Sequence, residues 1–250
     1  MIIDCAQEDV SALGSLARTA KSTLPRACYH MFGSVTCKAK RLGHSSCTDF
    51  EFLRARPWLA LYVRQLTLTG GGFTTISGLG LDICTVHGWV AMLPGLKTLV
   101  LDSAAWLWCV SCNLQSPAER KPHINVEELE LRDTWAYSVL PDLGTLTALF
   151  PNLRRVSCRG VQCATRVEDS TPASAIEQLV VECPRRQAAS NVEPAVMPTG
   201  SARHVHLQAV QPRYRRILQR VLEANRNAMR SLIVEVIQPG TSLDRHRCKR

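Results

Sequence analysis

The stretch that decides the fold is Val126-Glu127-Glu128-Leu129-Glu130-Leu131, where apolar residues are spaced as apolar-x-x-apolar-x-apolar. Successive side chains of a β-strand point to opposite faces of a sheet. Leu129 and Leu131 therefore point to one face, and Glu128 and Glu130 point to the other. The pattern predicts a short strand with one face in an apolar core and the other face in solvent.

The same pattern occurs seven times along the chain, and consecutive copies are 23 to 33 residues apart. The middle apolar residues of the copies are Leu66, Leu99, Leu129, Val156, Leu179, Val205 and Leu232. Leucine-rich repeats recur about every 20–29 residues, and one repeat cannot bury its own apolar face, so neighbours must stack. The sequence predicts an α/β fold, an irregular leucine-rich-repeat solenoid with a parallel sheet, helices on the convex side and a short helical N-terminal cap.

The connections between the copies agree with this fold, because a parallel strand needs a crossover before the next one. Segment 82–93 places Val86, Val90 and Leu93 at nearly helical spacing and stops at Pro94-Gly95. Segment 212–226 has one apolar face and one arginine-rich face. Both segments are predicted to be crossover helices.

Composition places the chain among folded globular proteins, with 46% hydrophobic and 20% charged residues in 250. No stretch approaches the roughly 18 consecutive apolar residues of a membrane span. The start, Met1-Ile2-Ile3-Asp4, has no basic segment followed by an apolar one, so we expect a cytoplasmic or nuclear protein. Of the net charge of +9, the last 50 residues carry 11 basic against 3 acidic residues.

The segment Leu24-Pro25-Arg26-Ala27-Cys28-Tyr29-His30-Met31-Phe32-Gly33-Ser34-Val35 resembles the second half of an F-box. The resemblance is to fungal F-box proteins whose F-box precedes divergent leucine-rich repeats. It extends to later segments, among them Leu93-Pro94-Gly95-Leu96 and Phe150-Pro151-Asn152-Leu153. The opening segment of that family's F-box does not precede Ile2, so the resemblance implies a truncated F-box.

In that family the F-box binds a Skp-type adaptor of a cullin–RING (SCF-type) ubiquitin ligase, and the repeats are taken to recognise the substrate. The resemblance therefore implies a substrate-recognition subunit. The resemblance implies that the adaptor-binding residues of this chain are Ile2, Ile3, Leu13, Leu16, Leu24 and Pro25. The chain then divides into a partial F-box-like segment (1–35), a repeat array (36–238) and a basic tail (239–250) that we expect to be disordered.

Two alternatives remain open. Residues 1–35 can instead be a cap that seals the apolar end of a free-standing repeat scaffold, as terminal repeats require. The basic C-terminal part can also attract nucleic acid, although a solvated terminal helix explains the same residues and we do not expect nucleic acid as a partner. We expect a monomer without a membrane partner.

The exposed strand positions form the surface on which a solenoid binds its partner. The predicted partner-binding residues of this concave face are Thr67, Glu128, Glu130, Arg132, Arg155, Arg159, His204 and His206. Their charges are mixed, which suits a protein partner better than a nucleic-acid duplex. They are also ordinary choices for a solvated strand face.

No catalytic constellation is apparent in the sequence, so we predict that the chain is not an enzyme and holds no cofactor. Gly70-Gly71-Gly72 lacks the Gly-Lys-Ser/Thr of a phosphate-binding loop. Cys109-Val110-Ser111-Cys112, with His123 downstream, resembles half of a zinc site, but a closed site needs four ligands and the spacing shows no second pair. We therefore predict no metal.

Overall fold

The N-terminal part folds into two short helices and is helical, as the predicted N-terminal cap requires. Helix α1 (Val10–Thr19) begins after Asp9, whose Oδ1 accepts a hydrogen bond of 2.9 Å from the Ala12 amide. This cap satisfies one of the amides that a helix start leaves without a partner. Helix α2 (Leu24–Phe32) has Pro25 in its first turn, where a missing N–H costs nothing.

This architecture comes from a computed structural model of the chain. It describes residues 8–38, 48–69, 80–102, 105–107, 123–133, 135–136, 149–160, 162–163, 176–182, 193–194, 202–210, 219, 222–223 and 225–236. The predicted tail (239–250) and most of the predicted helix over 212–226 lie outside these residues. Residues 219, 222–223 and 225–226 of that segment are described; 219, 222–223 and 225 are helical, whereas Arg226 is in a turn.

The strands of the repeats form two sheets. The main sheet has eight strands, namely β1 (Ser34–Lys38), β2 (Gln65–Thr69), β4 (Thr98–Asp102), β6 (Glu128–Arg132), β8 (Arg155–Arg159), β10 (Gln178–Glu182), β12 (His204–Val210) and β13 (Ser231–Val236). These strands are neighbours in that order and all pairs are parallel. The second sheet has five short strands, β3 (Gly80–Asp82), β5 (Ala105–Leu107), β7 (Trp135–Ala136), β9 (Gln162–Cys163) and β11 (Glu193–Pro194).

Equivalent positions of the predicted repeat pattern pair with each other across the main sheet. All seven middle apolar residues lie in one row, with Leu66 beside Leu99 and the row ending at Leu232. Each member before Leu232 is 0–1% exposed. The next apolar position of each copy forms a second row, from Leu68 and Leu101 onward. The chain is therefore an α/β repeat solenoid.

One strand of this array was not predicted. The array was predicted to begin at residue 36, whereas β1 begins at Ser34, and Val35 pairs with Leu66. Phe32, Val35 and Cys37 have the same apolar-x-x-apolar-x-apolar spacing as the other copies. With cysteine in place of leucine, this copy overlaps the F-box-like motif and was interpreted as part of it.

Backbone hydrogen bonds lock the start of each strand to the preceding repeat. The amides of Lys97 and Thr98 both donate to the Arg64 carbonyl, at 2.8 and 3.0 Å. The amides of Glu127 and Glu128 donate in the same way to the Lys97 carbonyl, at 2.9 and 3.0 Å. The same arrangement occurs at the starts of β2, β8, β10 and β13. At β12 the amides of Arg203 and His204 donate instead to two carbonyls, those of Ile176 and Glu177.

Left-handed residues make the turns from the main sheet into the second one. Asp133 follows β6 with φ 43° and Gly160 follows β8 with φ 63°. Only two residues then separate the strand ends from β7 and β9, and such a tight turn favours a glycine at positive φ. A side chain at Gly160 would collide with the Asp133 carboxylate.

Helices cover the apolar face of the main sheet. Helices α3 (Thr48–Ala55), α4 (Pro57–Ala60) and α5 (Ile83–Ala91) contribute Leu53, Leu59, Val86 and Val90 to the core formed by the strand rows. Helix α5 confirms the predicted crossover over 82–93. The opposite face of the sheet carries no helix among the described residues.

The final strand differs from the others because no further strand covers it within the described part of the chain. Leu232 and Val234 occupy core-facing rows, yet they are 40% and 42% exposed. Their row partners Val205 and Leu207 are 1% and 2% exposed. A core-facing residue of these rows is therefore buried when a strand of a neighbouring repeat lies on each side of it.

We expect Leu99→Ala to lower the free energy of unfolding by about 2–5 kcal/mol, because it leaves a cavity at a fully buried position. Leu232→Ala is the matched control, since it makes the same change in the same row at a 40% exposed position. We expect it to cost less than about 1 kcal/mol. Urea unfolding followed by circular dichroism compares the two, and equal losses would contradict the described burial.

Candidate interaction surface

The open face of the main sheet consists of the first, third and fifth residues of each strand. It contains all eight predicted partner-binding residues. Glu128, Arg155 and His204 hold first positions, Thr67, Glu130 and His206 hold third positions, and Arg132 and Arg159 hold fifth positions. The structure thus places them on one surface, and their binding role stays a prediction.

The third residues of the strands form a row on this face. Several members of this row are buried, which strand alternation does not predict. Val100, Ser157 and Val180 are 0%, 7% and 5% exposed, although they point away from the core. They share their row with Glu130 and lie between rows that carry longer, charged side chains. The Ser157 hydroxyl has no hydrogen-bond partner among the described residues.

A group of charged residues surrounds Glu130 at the middle of the face. Arg132 Nη2 lies 2.7 Å from Glu130 Oε2, and Arg159 Nε lies 3.2 Å from Oε1. The Glu130 side chain is 17% exposed, whereas the two arginines are 40% and 48% exposed. Three arginines, with Arg155 further away, therefore neutralise one carboxylate and keep part of each guanidinium in solvent.

Electrostatics keep this carboxylate charged despite its burial. Burial by itself would raise the pKa of Glu130. The hydrogen bond from Arg132 and the charges of Arg132, Arg159 and Arg155 together outweigh it, so the pKa lies below its ordinary value of 4.5. The hydrogen bond to Glu130 is also the main reason that the pKa of Arg132 is raised.

Two histidine contacts join the last two strands on the same face. His204 Nδ1 and Ser231 Oγ are 2.8 Å apart, and His206 Nε2 and Glu235 Oε1 are also 2.8 Å apart. The predicted residues His204 and His206 are therefore engaged with β13.

A groove of about 620 Å³ crosses the open face at the N-terminal ends of the strands. Its lining runs from β6 to β13 and consists of Glu127, Glu128, Arg154, Arg155, Glu177, Gln178, His204, Ser231 and Ile233. Three of these residues were predicted as partner-binding. Glu127, Arg154 and Glu177 were not predicted, because they precede the strands, where alternation assigns no face.

Charged side chains also lie at the N-terminal ends of the strands, beside the groove. Lys97 and Glu127 form an ion pair at 2.5 Å. The hydrogen bond from Lys97 and then its charge lower the pKa of Glu127, with a smaller contribution from Arg154. Both partners are more than one-third exposed, so the pair contributes little to stability.

The predicted adaptor-binding residues are not all accessible. Leu13 is 0% exposed and packs inside the chain. Its role in adaptor contact stays a prediction. Leu16 is partly buried, whereas Leu24 is 38% exposed and Pro25 is exposed. Ile2 and Ile3 lie outside the described residues.

No group of three or more His, Cys, Asp or Glu side chains in the described part of the chain is placed to hold a metal ion. Cys109 and Cys112 lie outside the described residues. Across the described ranges, no helix is long and apolar enough to cross a membrane.

No protein-family model, curated protein or solved structure matches this chain. The interpretation of the surface therefore depends on its geometry and charge.

We expect Glu130→Gln to lower the free energy of unfolding by about 1–2 kcal/mol at pH 7, because three arginines lose their partly buried counter-charge. Since the folded-state pKa of Glu130 is lowered, its contribution is present above pH 4.5 and is lost as the pH falls through the folded-state value. Urea unfolding at pH 7 and pH 3 measures this. Glu51→Gln, on an exposed part of α3, is the control, and an equal effect of both variants at pH 7 would contradict an ionic cluster.

Proposed function

We propose that this protein is a non-enzymatic protein-interaction module that holds a segment of a partner protein on its open face. The observation that carries the proposal is the groove from β6 to β13. It lies on the exposed side of a sheet whose other side is the core. Stacked repeats provide a long, rigid surface of this kind, and such surfaces serve mainly for binding.

The charges of the groove favour a protein over nucleic acid. Its lining contains three acidic residues, Glu127, Glu128 and Glu177, and two arginines, Arg154 and Arg155. Nucleic-acid binding depends on basic residues that neutralise phosphates. A partner peptide with charges of both signs can pair with such a lining, whereas a phosphate backbone would face three carboxylates.

We further propose that α1 and α2 carry a Skp-type adaptor and make the protein a substrate-recognition subunit of a cullin–RING ubiquitin ligase in cytoplasm or nucleus. Support comes from the two helices at the F-box-like segment and from the exposure of Leu24 and Pro25. Helix α2 leads directly into β1, at the edge of the sheet opposite β13. The adaptor and the groove would thus occupy separate regions.

A free-standing repeat scaffold is the second candidate, and the burial of Leu13 favours it. Helix α1 uses this residue to pack within the chain, and Phe32 at the end of α2 packs against the core. The contact of Phe32 is that of a cap on the first repeat, whereas Leu13 is buried apart from the core of the array. In this case the groove would still bind a partner, without a ubiquitin ligase.

A pull-down with a purified Skp-type adaptor tests the ligase proposal. We expect the full chain to bind, and Leu24→Asp to weaken binding at least about tenfold, because it puts a charge in an apolar contact. Leu61→Asp is the matched control, since Leu61 is also exposed but lies after α4. Failure of the unaltered chain to bind, or equal loss in both variants, would favour the scaffold.

Affinity purification from native cell extract tests the groove. Gln178→Arg places a long side chain in the middle of the groove, and we expect it to remove partner proteins that the unaltered chain captures. Gln208→Arg makes the same change on β12, in the row of Glu182 at the other end of the strands, and should retain them. Identical sets of captured proteins for both variants would contradict binding in the groove.

A further inference from the structure

The charge of the groove alternates from one strand to the next. Each acidic residue and each arginine of its lining lies directly before a strand or at its first position. These residues are Glu127 and Glu128 at β6, Arg154 and Arg155 at β8, and Glu177 at β10. Because β6, β8 and β10 are neighbours in the sheet, the charges follow the order acidic, basic, acidic.

The rest of the lining leaves this order undisturbed. On β12 and β13 it consists of His204, Ser231 and Ile233, which add no carboxylate or guanidinium group. The alternating charge is therefore confined to three adjacent strands, and a partner that recognises it must place three charges of its own across them.

Most of these charges are available to a partner. Arg154, Arg155 and Glu177 are exposed, and none of them forms a side-chain ion pair with another described residue. Glu128 accepts a long hydrogen bond of 3.4 Å from Thr98 Oγ1. Glu127 differs from the others because it is paired with Lys97, so Glu128 is the carboxylate of β6 that a partner can engage.

The spacing of the strands indicates the backbone that fits this order of charges. Neighbouring strands lie about 4.8 Å apart, so β6 and β10 are separated by about 9.6 Å. Residues i and i+7 of an α-helix lie on one face and are about 10.5 Å apart along its axis, with i+3 or i+4 between them. Three successive residues on one face of an extended chain span about 13.4 Å. A helix therefore matches the three strands to within about 1 Å, whereas an extended chain overshoots them by about 4 Å.

We propose that the segment held in the groove is a helix that lies across the strands, with a basic, an acidic and a basic residue on one face, about one turn apart. Its acidic residue meets Arg154 and Arg155, and its basic residues meet Glu128 on one side and Glu177 on the other. The proposal rests on the binding role proposed for the groove. The order of charges is the same when it is read from either end, so it holds for both orientations of the partner helix.

The central and the outer contacts make different contributions. A carboxylate that approaches two guanidinium groups receives charge-assisted hydrogen bonds, which are the stronger kind. The outer contacts select among partners, because a residue of the wrong sign at either position would be repelled by a glutamate. A partner with the same residues in another order would therefore bind less tightly.

Binding of synthetic peptides to the full chain tests the proposal. The probe is an alanine-based helical peptide of about 20 residues with Lys, Glu and Lys at positions i, i+4 and i+7. The matched control has Lys, Lys and Glu at the same positions, so its composition and net charge are identical. We expect the probe to bind at least about tenfold more tightly at low salt, because two of its three contacts change from repulsion to attraction. Fluorescence anisotropy measures the affinities, and circular dichroism checks that both peptides are helical.

A charge reversal in the groove separates recognition from misfolding. The variant with Arg154→Glu and Arg155→Glu presents acidic residues on all three strands, so it should prefer a peptide with three lysines to the Lys-Glu-Lys probe. The unaltered chain should have the opposite preference. Arg64→Glu with Gln65→Glu is the matched control, because it makes the equivalent change at β2, outside the lining, and should leave the preference of the unaltered chain in place.

Several results would overturn the proposal. They are no detectable binding of the probe, equal affinity for probe and control, and an unchanged preference in the Arg154→Glu, Arg155→Glu variant. Equal binding of a probe with proline in the middle of its helix would also overturn it, because proline breaks the helix. If Gln178→Arg removes captured proteins while the peptides show no dependence on charge order, only this proposal fails. If Gln178→Arg retains them, the binding role of the groove fails as well.

Discussion

Parallel, in-register stacking of apolar rows is the constraint on which the rest of this structure depends. A strand of five residues has only two positions on its core face, and those two cannot exclude water unless both neighbouring strands lie beside them. Leu99 and Leu129 are buried because each has a neighbouring strand on either side. Leu232 has one neighbouring strand among the described residues, and it is 40% exposed. Backbone hydrogen bonds at the strand starts, in most cases to one shared carbonyl, keep the rows aligned. A shift of one residue would move apolar side chains to the open face.

The same constraint creates the open face. Once alternate residues of each strand are buried, the remaining residues of all eight strands must lie together on the other side. Charged residues that are far apart in sequence therefore become neighbours across strands, as with Glu130 on β6 and Arg159 on β8. Glu130 is mostly buried, and it stays ionised because arginines surround it. The mixed charge of the groove has the same origin, because each repeat contributes its own residue to a shared edge.

The two ends of the array have different environments. Helices α1 and α2 precede β1, and Phe32 packs against the core. At the other end, Leu232, Ile233, Val234 and Val236 of β13 are 40–63% exposed. A repeat array generally needs a polar or helical cap where its core would otherwise meet water. The N-terminal helices provide such a cap whether or not they also bind an adaptor.

Periodicity alone determined the architecture of this protein, because burial in a solenoid is set by local spacing. All seven strand copies, the core rows, helix α5 and the open-face positions were predictable, since alternation assigns each strand residue to a face. The eighth copy, Phe32 to Cys37, was missed because cysteine replaces leucine and a different motif overlaps it. Tertiary structure decided what depends on neighbours in space. The burial of Val100, Ser157 and Val180 depends on side chains of adjacent strands, and the groove depends on residues that precede the strands. None of these leaves a periodic trace, because each contact joins residues whose separation in sequence is set by crossover lengths that vary from repeat to repeat.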